Sequence, residues 1–551
     1  MKNFYQKKSN QRFSFFKFYK KLPFKFRLFL GYVIILFVIA LLLWSKWALK
    51  NPDNQNPLFV DKHQRFSFID ALFNAASAFS DTGLTTTNVW AQFNLFGQFL
   101  LMLLIQLGGI GIIVIKFFII FTIGKKLGFL DKIAFNEEKG FNKLGQTFSI
   151  TSVSVISIFL FEAVFSLIFM FHFHQMDVGD PKNLAINPND ADWKSFNHVV
   201  DQLHNSWTLS WWYGLFHSVS ALNNAGFDIF GGNTFVYFGT DYFFQILVII
   251  LFVVGGIGFP IFYEFYLRCK YFYQKHFRYR KVDKPHFSLF FKVAVLSYFI
   301  VFFAGIFLVL LIEYINSAYH IHQYVDPKVN NSIFDNAVDK NFAPSIFNDP
   351  HFSFYQKFMY IVFNASSTRN AGFGTIPIQR FAFSSRVILS FMMWIGSSPC
   401  STGGGIRSTT MFIVILTIIR IIQGKSEKIN VFSREVPNET IKQAFIIFVT
   451  AIILVFISSI ICLFSISNSN LDNVSHYNFL DSFFENTSAF GTTGLSTGFS
   501  YYLDSVSKIA IIILMFIGQL TISNVLLVTV THHKKIISQS TFYPEEDILI
   551  G

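Results

Sequence analysis

The sequence predicts an all-α polytopic membrane protein with eight transmembrane helices, arranged as four span, pore-helix, span repeats around one central pore. Three observations support this prediction. Of the 551 residues, 52% are hydrophobic and only 14% are charged, which is typical of polytopic membrane proteins and unlike a soluble domain. Long apolar runs recur along the whole chain. A short polar turn with a glycine occurs four times in one register, and such self-similarity indicates an internal repeat.

The four turns read FNAASAFSDTGL, FHSVSALNNAGF, FNASSTRNAGF and FENTSAFGTTGL in one-letter code, at residues 73–84, 216–227, 363–373 and 484–495. Each turn has one glycine in the shared register, namely Gly83, Gly226, Gly372 and Gly494. A serine precedes each glycine by six residues, at Ser77, Ser220, Ser366 and Ser488. These serines either hydrogen-bond within a short helix or are small residues for close packing, and the sequence leaves both interpretations open.

Each unit consists of a span, a half-length helix, the glycine turn and a second span. A bilayer crossing needs about 20 apolar residues, and the runs divide into repeat 1 (28–125), repeat 2 (145–270), repeat 3 (287–423) and repeat 4 (438–533). The predicted spans are 28–49, 98–123, 147–171, 242–267, 287–315, 386–422, 441–466 and 508–531. The half-length helices are 66–79, 211–222, 354–368 and 478–490.

Charge predicts the orientation, because basic residues near span ends stay on the cytoplasmic side. Residues 1–27 carry nine Lys/Arg residues and no acid, whereas the links at 173–206 and 317–353 are acidic. Both termini are therefore expected in the cytoplasm, with basic tail 1–27 and C-terminal tail 534–551. The net charge of +12 follows from this topology and from contact with anionic membrane lipid, so it does not indicate a nucleic-acid partner.

The half-length helices and turns must enter and leave from the outside, and irregular backbone at membrane depth is tolerated only inside protein or along a water-filled cavity. Four equivalent turns converging on one axis would form a pore. Backbone carbonyls can replace the hydration shell of K⁺ or Na⁺, and glycine can turn successive carbonyls toward one axis. The candidate carbonyl ligands belong to the four glycines and to the residues that precede them, namely Thr82, Ala225, Ala371 and Thr493.

A second polar segment, IGSSPCSTGGGIRSTT at residues 395–410, interrupts the last apolar run of the third unit. Its glycines and proline break the helix and predict an intramembrane loop at 396–406, with an ordinary kinked helix as the alternative. The candidate loop residues are Gly396, Ser397, Ser398, Thr402, Gly403, Gly404, Gly405 and Arg407. Arg407 faces either the cavity or lipid phosphate, and the sequence slightly favours lipid.

With these motifs the chain resembles the ion-translocating subunits of the Trk/Ktr/HKT superfamily of potassium transporters, most closely the Ktr membrane (B) subunit. The resemblance covers almost the whole chain and implies potassium uptake across the plasma membrane. It implies that the four glycines form a potassium-selective filter and that segment 396–406 is a gating loop. It also implies a homodimer docked on a ring of cytoplasmic regulatory subunits, which would carry the nucleotide, and Na⁺ as an activator.

One departure from the family lies in the last span, where a pore-facing positive residue is common but Gln519 stands here. Other polar residues near the turns have weaker assignments. Asp81 and Asp228 either concentrate cations at the pore mouth or are solvated loop acids, and Arg369 is a candidate for a structural brace. Glycines 108, 109, 111, 255, 256 and 258 are expected to be close-packing sites.

Other classes of function fit the sequence less well. Three scattered cysteines predict no disulfide framework and no transition-metal cluster. A membrane enzyme would need clustered His, Asp or Cys near one membrane face, so we expect neither enzymatic activity nor a covalent cofactor. The remaining alternative is a sodium-permeable or sodium-coupled cation carrier, because carbonyl geometry is not legible in sequence.

Overall fold

The computed structural model describes residues 24–50, 66–111, 147–177, 184, 191–231, 235–277, 284–318, 322–324, 342–344, 346–424, 429–432, 434–468 and 477–520. The predicted tail regions 1–23 and 534–551 lie outside the described residues, as do the ends of the predicted spans 98–123 and 508–531. The described part is mostly helical.

The helices of the first two units follow the predicted order. The first unit contains α1 (Phe24–Trp44), α2 (Phe68–Phe79), the one-turn α3 (Val89–Gln92) and α4 (Leu95–Ile110). The second contains α5 (Thr147–Gln175), α6 (Ala191–Asn205), α7 (Trp207–Leu222), α8 (Tyr242–Ile257) and α9 (Phe259–Phe277). Helix α6 lies in a link for which no helix was predicted.

The last two units contain the remaining helices. They are α10 (Leu289–Ala318), α11 (Phe354–Ser367), α12 (Phe383–Trp394), α13 (Ser408–Ile422), α14 (Asn438–Asn468), α15 (Phe479–Gly491) and α16 (Ser505–Leu520). Two small antiparallel pairs also occur, β1 (His322–Tyr324) with β2 (Phe342–Pro344) and β3 (Asn430–Val431) with β4 (Arg434–Glu435). The mostly helical fold agrees with the prediction, and these two short pairs lie in links for which no strand was predicted.

Among the described residues, three helices are long and apolar enough to cross a membrane. They are Ser152–Gln175, Leu289–Ala318 and Asn438–Phe464. Helices α8 and α9 pass the same test only as a pair, and their axes differ by 98°. The predicted continuous span 242–267 is wrong, because Gly258 has φ +105° and ends α8. The number of eight spans stays a prediction.

The four short helices α2, α7, α11 and α15 begin at polar caps, as their sequences favour. The caps are Ser67, Ser206, Ser353 and Asn478, and each side chain accepts a backbone N–H of the first turn. The cap at Ser206 extends α7 four residues before its predicted start. The other three helices begin within two residues of their predicted starts, so local capping chemistry fixes these elements.

Glycines of the following helices allow the short helices to pack closely against them, as predicted. A Cβ atom on Gly108 of α4 would collide with the Phe79 carbonyl, and one on Gly255 of α8 with the Leu222 carbonyl. Gly518 of α16 meets the Phe490 carbonyl in the same way. Each of these short helices therefore ends against the glycine of the helix that follows it.

Candidate functional site

The four glycines of the turns lie against one another in a closed ring. A Cβ atom built on Gly83 would lie 3.0 Å from Cα of Gly226, and one on Gly226 would lie 3.0 Å from Cα of Gly372. From Gly372 the same construction reaches Cα of Gly494 at 3.2 Å, and from Gly494 it returns to Gly83 at 3.0 Å. The four turns, separated by more than 100 residues along the chain, therefore meet around one axis.

The residues before the glycines complete this ring. The carbonyl oxygen of Ala225 lies 2.6 Å from the Cβ position of Gly83, and that of Ala371 lies 3.0 Å from the Cβ position of Gly226. The carbonyls of Thr493 and Thr82 approach Gly372 and Gly494 more closely still. All eight predicted filter residues are thus brought together by their backbones, and a side chain on any glycine would enter the neighbouring turn.

Left-handed backbone makes this approach possible. The glycines have φ values of +89°, +68°, +77° and +94° in chain order, a region that side chains disfavour. The residue two positions earlier is also left-handed in every turn: Asp81, Asn224, Asn370 and Thr492. This second set was missed by the sequence analysis, although Asp and Asn are the residues after glycine that most readily adopt this conformation.

The serines six residues before the glycines do not share one role. Ser220 Oγ donates to the Phe227 carbonyl at 2.7 Å, and Ser488 Oγ accepts the Gly494 N–H at 3.0 Å. Ser366 Oγ bonds within its own helix, to the Phe363 carbonyl at 2.8 Å. Ser77 Oγ is buried with no hydrogen-bond partner among the described residues. Both interpretations left open by the sequence therefore occur, and two serines also tie the helix to the turn.

An open cavity lies on one side of the glycine ring, and all four glycines line it. Residues that follow the glycines complete its wall, including Thr85, Gly374 and Ser496. Asp228 supplies the carboxylate of this wall, and its Oδ1 accepts the Phe230 N–H at 2.6 Å. Asp228 therefore lies in the wall of the cavity, and its role in concentrating cations stays a prediction.

The prediction that Asp81 lies at the pore mouth is wrong. Asp81 is fully buried and is not among the residues that line the cavity. Its Oδ2 accepts a hydrogen bond from Gln519 Nε2 at 3.3 Å. The left-handed conformation at Asp81 turns the side chain away from the cavity and toward α16.

The predicted intramembrane loop is present between α12, which ends at Trp394, and α13, which begins at Ser408. The loop folds back on itself, because the Ile406 N–H donates to the Trp394 carbonyl at 3.3 Å and the Ser408 N–H to the Ser397 carbonyl at 3.1 Å. Most of its residues are buried, including the predicted Ser397, Ser398, Thr402 and Gly403. An ordinary kinked helix is excluded at this position.

The loop is bonded to the turns on the side of the ring opposite to the cavity. Three bonds reach the left-handed residues directly: Ser397 Oγ to Asn370 Oδ1 at 2.7 Å, Thr402 Oγ1 to the Asn224 amide at 3.0 Å and the Gly404 N–H to Thr492 Oγ1 at 2.6 Å. The remaining turn, which is the first in chain order, is reached through Gln519, whose Nε2 bonds both Asp81 and the Thr402 carbonyl, the latter at 3.1 Å. The loop therefore lies directly behind the ring.

Two arginines hold the ends of the loop. Arg369 is fully buried and donates to the carbonyls of Met392, Ile395 and Gly396, as expected of a brace. Arg407 donates to the carbonyls of Gly403 and Gln519. The structure therefore places Arg407 against the loop and α16, whereas the sequence had favoured lipid phosphate.

A buried ion pair stabilises the segment that follows the third glycine. Arg380 donates to Asp349 Oδ2 at 2.7 Å, in the links that flank α11. Burial alone would raise the pKa of Asp349, but the Arg380 guanidinium and the hydrogen bonds from His351 together outweigh burial and lower the pKa below its usual value. Asp349 is therefore held ionised beside Arg380.

The remaining chemistry of the site is limited to oxygen ligands. No group of three His, Cys, Asp or Glu residues that could hold a metal ion occurs in the part of the chain that the structure describes. The ring presents backbone carbonyls, which suit weakly hydrated monovalent cations better than a transition metal.

Comparison with known proteins agrees with this geometry. A model of the TrkH family, described as a cation transport protein, matches residues 40–539. The chain is 32% identical to an uncharacterized cation transporter of Mycoplasma genitalium, over 95% of this chain and 97% of that protein. It is 28% identical to the Ktr system potassium uptake protein D of Bacillus subtilis, over 88% of this chain and 90% of that protein.

The fold is also similar to a solved structure, the potassium transporter TrkH from Vibrio parahaemolyticus. The TM-score is 0.54 at 15% identity, and the match covers 90% of this chain and 84% of that chain. The fold is thus that of a polytopic membrane protein, and the resemblance that the turns predicted is confirmed. Since the family model spans most of the sequence, the chain belongs to the TrkH family of cation transport proteins, within the Trk/Ktr superfamily.

Proposed function

We propose that this chain is the membrane subunit of a potassium uptake system and that K⁺ passes through the glycine ring. The closed ring of Gly83, Gly226, Gly372 and Gly494 is the observation that carries the proposal. Carbonyl oxygens of these glycines and of Thr82, Ala225, Ala371 and Thr493 would replace the water around the ion. Uncharged ligands bind a monovalent cation weakly enough to release it, which a conducting site requires.

The direction of transport follows from electrostatics. In this proposal, cations enter the ring from the cavity that Asp228 lines, and the membrane potential drives them inward. A potential of about 100 mV, negative inside, is worth about 2.3 kcal/mol per monovalent cation, or roughly 50-fold accumulation. Uptake by this route needs no nucleotide hydrolysis by the chain itself.

The proposed topology has eight transmembrane helices in the four predicted repeats, with both termini in the cytoplasm of a plasma-membrane protein. In this proposal, helices α4, α8, α12 and α16, each of which follows a glycine turn, form the inner wall of the pore. The loop behind the ring would act as the gate on the cytoplasmic side of the filter. Its bonds to all four turns support this role, because an ion leaving the ring on that side must pass it.

The proposed assembly is a homodimer docked on a cytoplasmic ring of nucleotide-binding regulatory subunits, which would shift the loop. Na⁺ would act as an activator. The similarity to a Ktr potassium uptake protein supports this arrangement over an isolated channel.

Uptake of rubidium, a tracer for potassium, tests the proposal in bacterial cells that lack their own potassium uptake systems. We expect Gly83→Ala to abolish uptake or to admit sodium, because the added Cβ would lie 2.6 Å from the Ala225 carbonyl and the residue has φ +89°. Gly31→Ala is the matched control, since no described residue outside its own stretch of helix comes within 4 Å of its Cβ position. Uptake by Gly83→Ala equal to that of the control, at matched expression, would place the ion path elsewhere.

A further inference from the structure

Each short helix carries a buried polar side chain that bonds the segment beyond the glycine of its own turn. The residue stands nine positions before the glycine, or eight in the shorter third turn, and the four are Asn74, His217, Asn364 and Glu485. All four are fully buried. The first three make one such bond each: Asn74 to Thr87 at 3.2 Å, His217 to the Ile229 N–H at 3.5 Å and Asn364 to Thr375 at 3.1 Å.

The fourth unit differs, because Glu485 accepts four hydrogen bonds from the segment after the glycine, whereas each of its three counterparts makes one such bond. Its Oε1 accepts from Ser496 Oγ at 2.5 Å, from the Thr497 N–H at 3.0 Å and from Thr497 Oγ1 at 3.4 Å. Its Oε2 accepts from Ser500 Oγ at 3.0 Å. No Lys or Arg forms an ion pair with Glu485 among the residues that the structure describes. The carboxylate is thus dedicated to the chain segment that follows Gly494.

Gly494 is consequently held on both sides by the same helix. Its own N–H bonds Ser488 Oγ of α15, and two residues later the Glu485 contacts begin. Because Gly494 contacts Gly83, and Gly372 contacts Gly494, a shift of this one turn would be felt by both of its neighbours in the ring. Discrimination between K⁺ and the smaller Na⁺ depends on the size of the cavity that the carbonyl ligands form and on their number. Both quantities change when one turn of the ring moves.

We propose that Glu485 is a positioning residue that fixes the fourth turn of the ring and thereby sets the discrimination of K⁺ from Na⁺. This inference rests on the proposed function. Glu485 does not touch the ion in this proposal. It acts through Ser496, Thr497 and Ser500, whose bonds keep the carbonyls of Thr493 and Gly494 at the ring.

The ratio of sodium to rubidium uptake tests the proposal, and two substitutions separate position from charge. Glu485→Ala removes the acceptor, and we expect the ratio to rise by roughly tenfold, the change that about 1.4 kcal/mol produces. Glu485→Gln removes the charge but keeps one oxygen for the first three donors, and its amide can donate to the Ser500 hydroxyl. We therefore expect Glu485→Gln to keep a ratio close to that of the native chain.

A third variant approaches the contact from the other side. Ser496→Ala/Ser500→Ala removes two donors, leaves the Thr497 N–H in place and should raise the ratio in the same direction. It keeps the proposal testable if Glu485→Ala does not fold. Asp481→Asn is the matched control, because it removes a carboxylate one turn earlier on α15 that pairs with Arg386 and not with the segment after Gly494.

A native ratio in the folded variants would overturn the positioning role. So would a Glu485→Gln ratio as high as that of Glu485→Ala, because the charge would then be responsible. Failure of the proposed function is distinguishable. In that case the native chain shows no rubidium uptake, or Gly83→Ala leaves uptake unchanged, whereas failure of the positioning role leaves both of those results intact.

Discussion

Thr492 is the least suited of the four left-handed residues that precede the glycines. Its φ is +50°, and a β-branched side chain disfavours this region more strongly than Asp or Asn does. The hydrogen bond from the Gly404 N–H to its Oγ1 at 2.6 Å compensates for this conformation. Thr492 thus adopts a backbone conformation that threonine disfavours, and its hydroxyl accepts a hydrogen bond from the loop in that conformation.

Arg369 carries a buried charge that is satisfied by backbone carbonyls. Its guanidinium also lies 5.1 Å from the centre of the Tyr298 ring, and no carboxylate pairs with it in the described part of the chain. The guanidinium presents its donors in a fixed planar fork, which binds separate carbonyls with less loss of rotamer freedom than an ammonium does. The arginine therefore fixes where α12 stops and the loop begins.

We expect Arg369→Lys to destabilise the protein by about 2 kcal/mol, because the ammonium cannot reach all three carbonyls with the same geometry. The melting temperature of the purified protein in detergent would measure this loss. Arg420→Lys, on α13 away from the ring, is the matched control and should melt with the native protein. Equal melting of both variants would show that the charge, and not the fork of Arg369, is what this position requires.

The residues of the site were predictable to the extent that they repeat. Gly83 and its three counterparts were found because they share a register, and the loop was found because its glycines and proline break an apolar run. The partners of Asp81 and Arg407 were not predictable, because Gln519 lies 438 and 112 residues away from them. Contacts between distant units leave no local pattern.

Among the elements, the starts of three of the four short helices were predicted to within two residues, whereas the end of α8 at Gly258 was not predicted. Capping residues mark a helix start within the sequence itself, as Asn478 does for α15. The bend at Gly258 has a mark that was not used, because residues 255–260 read GGIGFP and combine three glycines with a proline. The Cβ position of Gly258 lies 2.8 Å from the Pro399 carbonyl, so the close approach of the loop, a tertiary contact, explains why glycine is needed there.

The loop is bonded to each turn of the ring by a separate hydrogen bond or, for the first turn, through Gln519. If it is the gate, removing one bond should favour the open state. We expect Thr402→Val, which loses the contact with Asn224, to increase cation flux measured in the absence of any regulatory subunit. The loop should stay folded in this variant, because the bond from Gln519 to the Thr402 carbonyl does not involve the hydroxyl.

The control for this change is Thr417→Val on α13. That hydroxyl bonds the Ile413 carbonyl of its own helix, so the substitution has the same chemistry outside the loop. A flux through Thr402→Val no greater than through Thr417→Val would argue against the gating role of this contact.

At the scale of the whole molecule, charged pairs join consecutive units near the starts of the short helices. Arg386 of α12 donates to Asp481 of α15 at 2.8 Å, which joins the third unit to the fourth. Lys508 of α16 donates to Asp70 of α2 at 2.7 Å, which joins the fourth unit back to the first. Asp70 and Asp481 also complete the capping boxes of their own helices, so each acid orders a helix start and a junction between units.

The pair of Asp70 and Lys508 connects the two ends of the sequence and therefore closes the ring of units. Both side chains are mostly buried, with 13% and 15% of their surface exposed, so the loss of one partner leaves a costly unpaired charge.

We expect Asp70→Asn and Lys508→Met each to lower the melting temperature in detergent. The double variant should be less destabilised than the sum of the two, with a coupling energy of about 1–3 kcal/mol. The exposed pair of Lys442 and Glu439 is the control, because at 4.0 Å and more than 70% exposure it should show almost no coupling. Strictly additive effects at Asp70 and Lys508 would mean that apolar packing alone closes the ring.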